Sequence, residues 1–249
     1  MRRLFSLIAV TFIALSIPAF AQSFSPAQKT EIEKVVKDYL LTHPEILRDM
    51  ATALDAQDKK TTDDGRGKAL MSQSKEIFHD GMDGIVGNPK GDVTVVEFMD
   101  YNCGWCRKGI KEIQSLVKSD PNVRVIMKEF PIFGEGSEYA AKAALASARQ
   151  GKYWEFHQAL FASEGKVTAE VTDQIAKDVG LDVVKMKADM ADPAIVAQIQ
   201  KNTQLAQTLQ LTGTPAFIVD KKLYPGYIQL PEIQASLADV RANGGCQLC

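Results

Sequence analysis

Histidine is rare in this chain, three residues among 249, and none of the three lies near a cysteine. Structural zinc takes four Cys and His ligands, and the methionines and histidines here are scattered without ligand spacing, so nothing supports copper binding either. No metal and no bound cofactor are expected. Cysteine is rare too. Four residues are too few for a disulfide framework in a chain long enough to bury a full core, so at least one pair should be present for its reactivity. Basic runs are missing, and a formal net charge of −2 makes nucleic acid a poor partner. Internal repeats are missing as well. So are apolar runs of membrane length: the one sustained run, Leu4 to Ile17, falls short of the roughly 20 residues a spanning helix needs.

That run has another reading. Arg2 and Arg3 precede it, and Ala19-Phe20-Ala21 follows with small residues at a cleavage spacing. This is the pattern of a signal peptide, residues 1–21, removed from an exported chain. The compartment is oxidising, where cysteines tend to pair and dithiol catalysts are useful.

What the chain does have is Val93-Thr-Val-Val-Glu-Phe-Met-Asp-Tyr-Asn-Cys103-Gly-Trp-Cys106-Arg-Lys. The β-branched run reads as a buried strand, and Asp100 to Asn102 as a polar turn. Ile110, Ile113, Leu116 and Val117 then recur at helical spacing. The cysteines therefore stand at a helix N-terminus, where unpaired N–H groups and the helix dipole favour an anion. A thiolate is the form that attacks disulfides, and two intervening residues let the pair close on itself. Half of a zinc site is the alternative, but two further ligands are lacking. The strand-to-helix context favours redox chemistry.

Upstream, Ser25-Pro26-Ala27-Gln28 forms a capping box with proline at the first helical position. Ile32, Val35, Val36, Tyr39 and Leu40 line one helix face. Thr42-His43-Pro44-Glu45 reads as a second capping box, followed by a stripe of Ile46, Leu47, Met50, Ala51 and Leu54. Short helices with one apolar face must pack on something: on the main domain, on copies of themselves, or least aptly on a membrane surface, since their charge is balanced. Residues 55–68 are polar, a linker or a solvated helix end, which favours self-association.

Downstream, a helix is expected over Leu70 to Phe78, a short strand at Gly84 to Val86, and a second strand over Val123 to Phe130, parallel to the first. Helices follow over Ser137–Gln150, Tyr153–Ala162, Ala169–Val179, Val183–Met190 and Ala194–Leu211. Strands return at Ala216–Val219 and Leu223–Tyr227, with a last helix over about Pro231–Arg241.

This order resembles an α/β thioredoxin fold with a helical insertion. Gly87-Asn-Pro-Lys-Gly-Asp-Val-Thr-Val-Val-Glu-Phe, Cys103-Gly-Trp-Cys106, Lys128-Glu-Phe-Pro-Ile and Thr212-Gly-Thr-Pro-Ala together are similar to the DsbA-like thiol–disulfide oxidoreductases of the bacterial envelope, over roughly residues 81–242. With the amphipathic head included, the chain most resembles the suppressor-of-copper-sensitivity ScsC proteins, DsbA-like domains on an N-terminal oligomerisation stalk, some of them trimers. The expected organisation is then a stalk at 22–56, a polar linker at 57–68, a catalytic domain at 69–242 with its insertion at about 137–211, and a tail at 243–249.

Cys103, nearer the exposed helix end, is the expected nucleophile, and Cys106 the resolving thiol. Gly104 and Trp105 tune the pair and face substrate. The resemblance gives Glu97 the place of a buried acid beneath the second cysteine, able to accept the Cys106 proton, against the plainer reading of a solvated strand-end acid. Lys128 is its expected charge partner or, equally, a surface lysine. Thr214-Pro215 matches the family's cis-proline loop, which shapes the substrate groove and presents the Thr214 backbone to an extended peptide. Cys246 and Cys249 fall outside the pattern; a tail disulfide, a second redox pair, an intersubunit link and a metal site all stay open.

Three functions are compared on this footing. One is an oligomeric disulfide isomerase or reductase acting on misfolded exported proteins and recharged by a membrane thiol reductase of the DsbD or ScsB kind. The second is a DsbA-like oxidase of reduced exported proteins, reoxidised by a DsbB-like quinone reductase. The third is a copper-binding protein or chaperone without redox turnover.

Overall fold

The computed structural model describes residues 24–249, and the expected signal peptide lies outside the described residues. The described chain divides after Gln57. Before that point lie α1 (Pro26–Thr42) and the first turns of α2 (Glu45–Ser72). The Ser25 box forms: Ser25 Oγ accepts from Gln28 N at 3.3 Å and Gln28 Oε1 accepts from Ser25 N at 2.9 Å. The second box does not form. Thr42 Oγ1 turns back and donates to Asp38 O at 2.8 Å and Tyr39 O at 3.1 Å, ending α1 rather than starting α2. Residues 57–68 are helical and mostly exposed, the solvated-helix reading rather than an irregular linker. No residue of α1 is buried, and Ile32, Val35, Val36, Tyr39, Leu47, Met50 and Leu54 all face solvent.

In the second unit the helix expected over 70–78 breaks at Gln73, giving a separate α3 (Ser74–Phe78). Then come β1 (Gly84–Gly87), β2 (Val93–Met99), α4 (Gly104–Ser119) and β3 (Val123–Glu129). The helical block is α5 (Glu135–Ala148), α6 (Tyr153–Ala162), α7 (Ala169–Asp178), α8 (Val183–Met190) and α9 (Pro193–Thr208). The chain closes with β4 (Ala216–Val219), β5 (Lys222–Tyr224) and α10 (Leu230–Ala242).

The strands form one sheet in the order β1-β3-β2-β4-β5. β2 and β3 are parallel, with Val93 opposite Val123, joined by the α4 crossover; the other pairs are antiparallel. This is a thioredoxin sheet, with five helices inserted between β3 and β4. All seven residues of β2 are buried because both sheet faces are covered, which is why its sequence is a continuous apolar run rather than an alternation. One face packs Val93, Val95 and Met99 with Ile113 and Leu116 of α4 and Ile233 and Leu237 of α10. The other packs Val96, Phe98, Ile126 and Ile218 with Ile77 and Phe78 of α3 and Leu205 and Leu209 of α9. α4 is thus fixed against the first face, with its N-terminus at the C-terminal edge of β2.

Candidate active site

The turn between β2 and α4 is built on one aspartate. Asp100, buried, accepts from Asn102 N at 2.7 Å and Ser137 Oγ at 2.7 Å through Oδ1, and from Ile132 N at 2.7 Å and Phe133 N at 3.0 Å through Oδ2. One carboxylate thereby binds the turn before the cysteines to the loop after β3 and the start of α5. Asn102 adds the loop ahead of α7: it accepts from Val167 N at 2.8 Å and donates to Val167 O and Ser137 Oγ, both at 3.0 Å. Arg107, on the first turns of α4, donates to Phe161 O at 2.8 Å and to Ser163 O. The motif's polar residues hold the insertion against the active-site helix.

Cys103 is the N-cap of α4. Its sulfur accepts from Cys106 N at 3.4 Å and its thiol donates to Thr214 O at 3.2 Å. The Thr214–Pro215 bond is cis, and the Thr214 carbonyl, which the resemblance implied for peptide pairing, reaches the nucleophile itself. The hydrogen bond from the Cys106 thiol, reinforced by the N–H groups of Cys106 and Trp105, outweighs burial and draws the Cys103 pKa down to about 6. Cys106 is fully buried, and burial drives its thiol far up, reinforced by Cys103 and by the Glu97 charge. The two thiols are free. One sulfur is poised to attack and the other holds its proton.

Glu97 is 2 % exposed. It lies beneath α4: a Cβ added to Gly109 would sit 3.7 Å from Glu97 Oε1. Its Oε2 has no protein hydrogen-bond partner. Burial, then the Cys103 charge, raises its pKa to about 8. It is a buried acid, not a solvated one.

Lys128 is not its partner. In the ladder Glu97 faces Met127 and Lys128 faces Phe98, and a one-residue offset puts a side chain on the opposite face of the sheet. Lys128, wholly buried, pairs with Asp83 and donates to Glu76 O at 2.8 Å. Gln198 and Asn202 complete that cluster, each donating to Asp83 Oδ1 at 3.0 Å. Lys128 is therefore neither catalytic nor a surface lysine; it braces the distal layer.

Gly104 is exposed, with open space where a Cβ would project. Trp105, 57 % exposed, leans on Tyr227 at 5.5 Å between ring centroids. Lys108 Nζ lies 5.0 Å from the Trp105 centroid and 4.7 Å from that of Tyr227, and Tyr227 OH donates to Glu112 Oε1 at 2.6 Å. Trp105 thus stands as a braced apolar platform beside the nucleophile. Behind the turn, Glu129 Oε1 accepts from Tyr101 OH at 3.0 Å and Tyr153 OH at 2.9 Å, and Tyr101 OH lies 2.9 Å from His157 Nδ1. Burial lowers His157 to about 3, which keeps it neutral at pH 7, and raises Glu129 well above its usual range. These groups come from β3, α6 and the turn after β2, and no local motif marked them.

A depressed thiol at a helix N-cap, a buried second thiol one turn in and a cis-proline carbonyl alongside define a protein that exchanges thiols and disulfides. The DSBA-like thioredoxin domain matches residues 94–238, more than half of the chain, and the chain belongs to that family of thiol–disulfide oxidoreductases. The N-terminal domain of copper resistance protein ScsC matches residues 28–60. A thioredoxin-like oxidoreductase from Silicibacter pomeroyi is 45% identical over 68% of this chain and 97% of its own, with a TM-score of 0.66. Salmonella enterica BcfH is 27% identical over 85% and 95%, with a TM-score of 0.72. Proteus mirabilis ScsC in a transitional conformation, 24% identical over 88% and 100% with a TM-score of 0.66, shares the fold. Among curated proteins, a Na(+)/H(+) antiporter NhaA 3 of Salinispora tropica is 26% identical over 72% of this chain, which spans only 30% of that protein's length. Disulfide bond formation protein D of Bacillus subtilis is 25% identical over 61% of this chain and 74% of its own.

The position of Glu97 has a measurable consequence. Its folded pKa lies above the unfolded value near 4.3, so the protein loses stability as pH rises between about 4 and 8. At pH 7 that loss is on the order of 3 kcal/mol. Glu97→Gln should therefore melt higher than the parent at pH 8 and match it at pH 4, while releasing mixed disulfides more slowly. Thermal melts across pH and the lifetime of a Cys103-linked peptide check both. Equal melting at pH 8 would mean Glu97 carries no burial penalty.

Proposed function

We propose that the protein is a periplasmic thiol–disulfide oxidoreductase that works mainly as a disulfide isomerase or reductase on exported proteins. Cys103 attacks a client disulfide, Cys106 expels the client when it cannot rearrange, Glu97 takes up or returns the Cys106 proton, and Gly104, Trp105, Thr214 and Pro215 hold the client chain. The observation that carries the reading is the asymmetry of the pair, with Cys103 near 6 and Cys106 held protonated. A value near 6 lies closer to the roughly 7 of thioredoxin than to the roughly 3.5 of DsbA. The threonine before the cis-proline fits the same side of the family. No helix among the described residues is long and apolar enough to cross a membrane. A membrane thiol reductase of the DsbD or ScsB kind would recharge the pair.

The exposed apolar faces of α1 and α2 support a homo-oligomer, with a trimer favoured, that gathers several active sites around one client and raises their effective concentration. Refolding of scrambled ribonuclease decides the matter. The full chain should sediment as an oligomer and isomerise at least about tenfold faster than a chain beginning at Asp58. If both are monomers, or both isomerise alike, the isomerase reading fails. The oxidase reading, with a DsbB-like partner, has one observation in its favour: a depressed Cys103 pKa stabilises the dithiol and so makes the disulfide more oxidising. The reduction potential of Cys103–Cys106 against glutathione separates the two.

A further inference from the structure

Cys246 and Cys249 form a disulfide three residues apart. As a brace it does little. The stabilisation a disulfide brings grows with the loop it closes, and this loop is among the shortest possible. Nor does it fasten the segment to the domain, because that is already done by Asp220, whose Oδ1 accepts from Gln247 N and Leu248 N, both at 2.9 Å. Its geometry instead repeats that of the active site. Cys246 Sγ accepts from Cys249 N at 3.2 Å, as Cys103 Sγ accepts from Cys106 N at 3.4 Å.

Both cysteines line a recess of about 320 Å³ with His79, Lys90, Asp92 and Arg124. Of the carboxylates nearby, Asp92 is paired with Arg241 at 2.7 and 3.0 Å, a guanidinium it shares with Asp120, and Asp220 is engaged by the Gln247 and Leu248 N–H groups. Arg124 has no carboxylate partner among the described residues; its guanidinium donates to Thr94 Oγ1 at 3.0 Å and Phe78 O at 3.2 Å. A half-buried cation with only neutral acceptors, next to Lys90, favours an anion in the recess. Asp92 and Thr94 stand where β2 begins, whereas the active-site turn follows its end, about 20 Å away along seven residues. The Cys103 thiolate of the same domain does not reach it.

We propose that Cys246–Cys249 is a second thiol–disulfide exchange site, one that takes electrons from a small anionic thiol. The incoming thiolate bonds to Cys249 Sγ, breaking the S–S bond and expelling Cys246 as a thiolate that the Cys249 N–H meets. Cys246 then takes a proton from water, and its thiol can donate to Asp220 Oδ1, 3.5 Å from the sulfur. A second small thiolate attacks the mixed disulfide, releases Cys249, which is protonated in turn, and leaves as the small-molecule disulfide. Two electrons pass to the protein and two small thiols are oxidised.

The test uses the full chain carrying Cys103→Ser and Cys106→Ser, equilibrated in graded glutathione buffers, alkylated and weighed. The pair should pass from zero to two alkylated sulfurs across the range of buffers that interconverts Cys103–Cys106 in the Cys246→Ser/Cys249→Ser chain. A disulfide that stays closed throughout overturns the proposal. Oxidised and reduced forms should melt within about 2 °C of each other; a drop of about 10 °C or more on reduction makes the bond a structural brace. Lys90→Gln and Arg124→Gln should each slow reduction by glutathione about threefold or more beyond any slowing of 2-mercaptoethanol, whose attacking thiolate carries a single charge against the net two of glutathione. Should Arg124→Gln fail to fold, Lys90→Gln and added salt, which screens the recess, carry the same comparison. Equal effects on both reagents, or none on either, reject the anionic thiol.

Discussion

Cys103→Ser should lower thiol–disulfide exchange by at least about three orders of magnitude, because no hydroxyl in the site can replace the thiolate. Cys106→Ser should instead accumulate mixed disulfides on Cys103, since the group that expels them is gone. The identity of the attacking sulfur is read from alkylation as a function of pH. With a pKa of about 6, Cys103 is about 90% thiolate at pH 7, against about 3% for free cysteine. A less basic sulfur is also a weaker nucleophile, by about tenfold over this span. The two effects nearly cancel at pH 7, where Cys103 should react only about two- to threefold faster than free cysteine. At pH 5.5 the advantage widens to about twentyfold. The decisive quantity is therefore the midpoint of the profile. A midpoint near 8.5 would remove the basis of the assignment, and a serine variant that still turned over would remove it independently.

The same thiolate stabilises the dithiol form. Because its folded pKa lies below the unfolded one, the contribution is full above about pH 8.5 and is lost as pH falls through 6. At pH 7 it is on the order of 1 kcal/mol. The reduced parent should accordingly out-melt reduced Cys103→Ser at pH 8 and not at pH 5. Glu97 runs the opposite way over the same interval, destabilising as pH rises. Cys103→Ser in a Glu97→Gln background is needed to see either slope alone.

Much of the site was legible because it is local. Val93 to Cys106 carries a strand, a turn and a helix start within fourteen residues, and each is announced by its own residues. α6, α8 and β4 fall where Gly151, Pro193 and the periodicity put them. What could not be read is what depends on pairing. Lys128 and Glu97 lie on adjacent strands, but which faces which is set by register, and a single-residue difference moves the lysine to the far layer. Tyr101, Glu129, Tyr153 and His157 meet only after the helical insertion has folded back. Asp100 and Asn102 looked like turn residues, and they are, but their second task of holding Ile132, Ser137 and Val167 needs the tertiary structure. Residues 57–68 lack an apolar stripe, so periodicity was silent there, although a helix needs no stripe where it remains exposed.

Lys128→Met should cost about 3–5 kcal/mol, the usual effect of removing one member of a buried ion pair, and lower the melting temperature by about 6–20 °C. The loss comes from Asp83, left in the interior with only Gln198 and Asn202 as donors. Replacing both partners is far milder, since two apolar side chains need no solvation; Lys128→Met with Asp83→Leu should recover most of the loss. At permissive temperature the alkylation midpoint of Cys103 should not move, because the pair lies on the other side of the sheet. A cycle of Lys128→Met with Glu97→Gln then tests the geometry directly. Groups on opposite faces without shared partners add to within about 0.5 kcal/mol. A coupling several times larger, or a displaced Cys103 midpoint in Lys128→Met, would place the lysine beneath the active site after all.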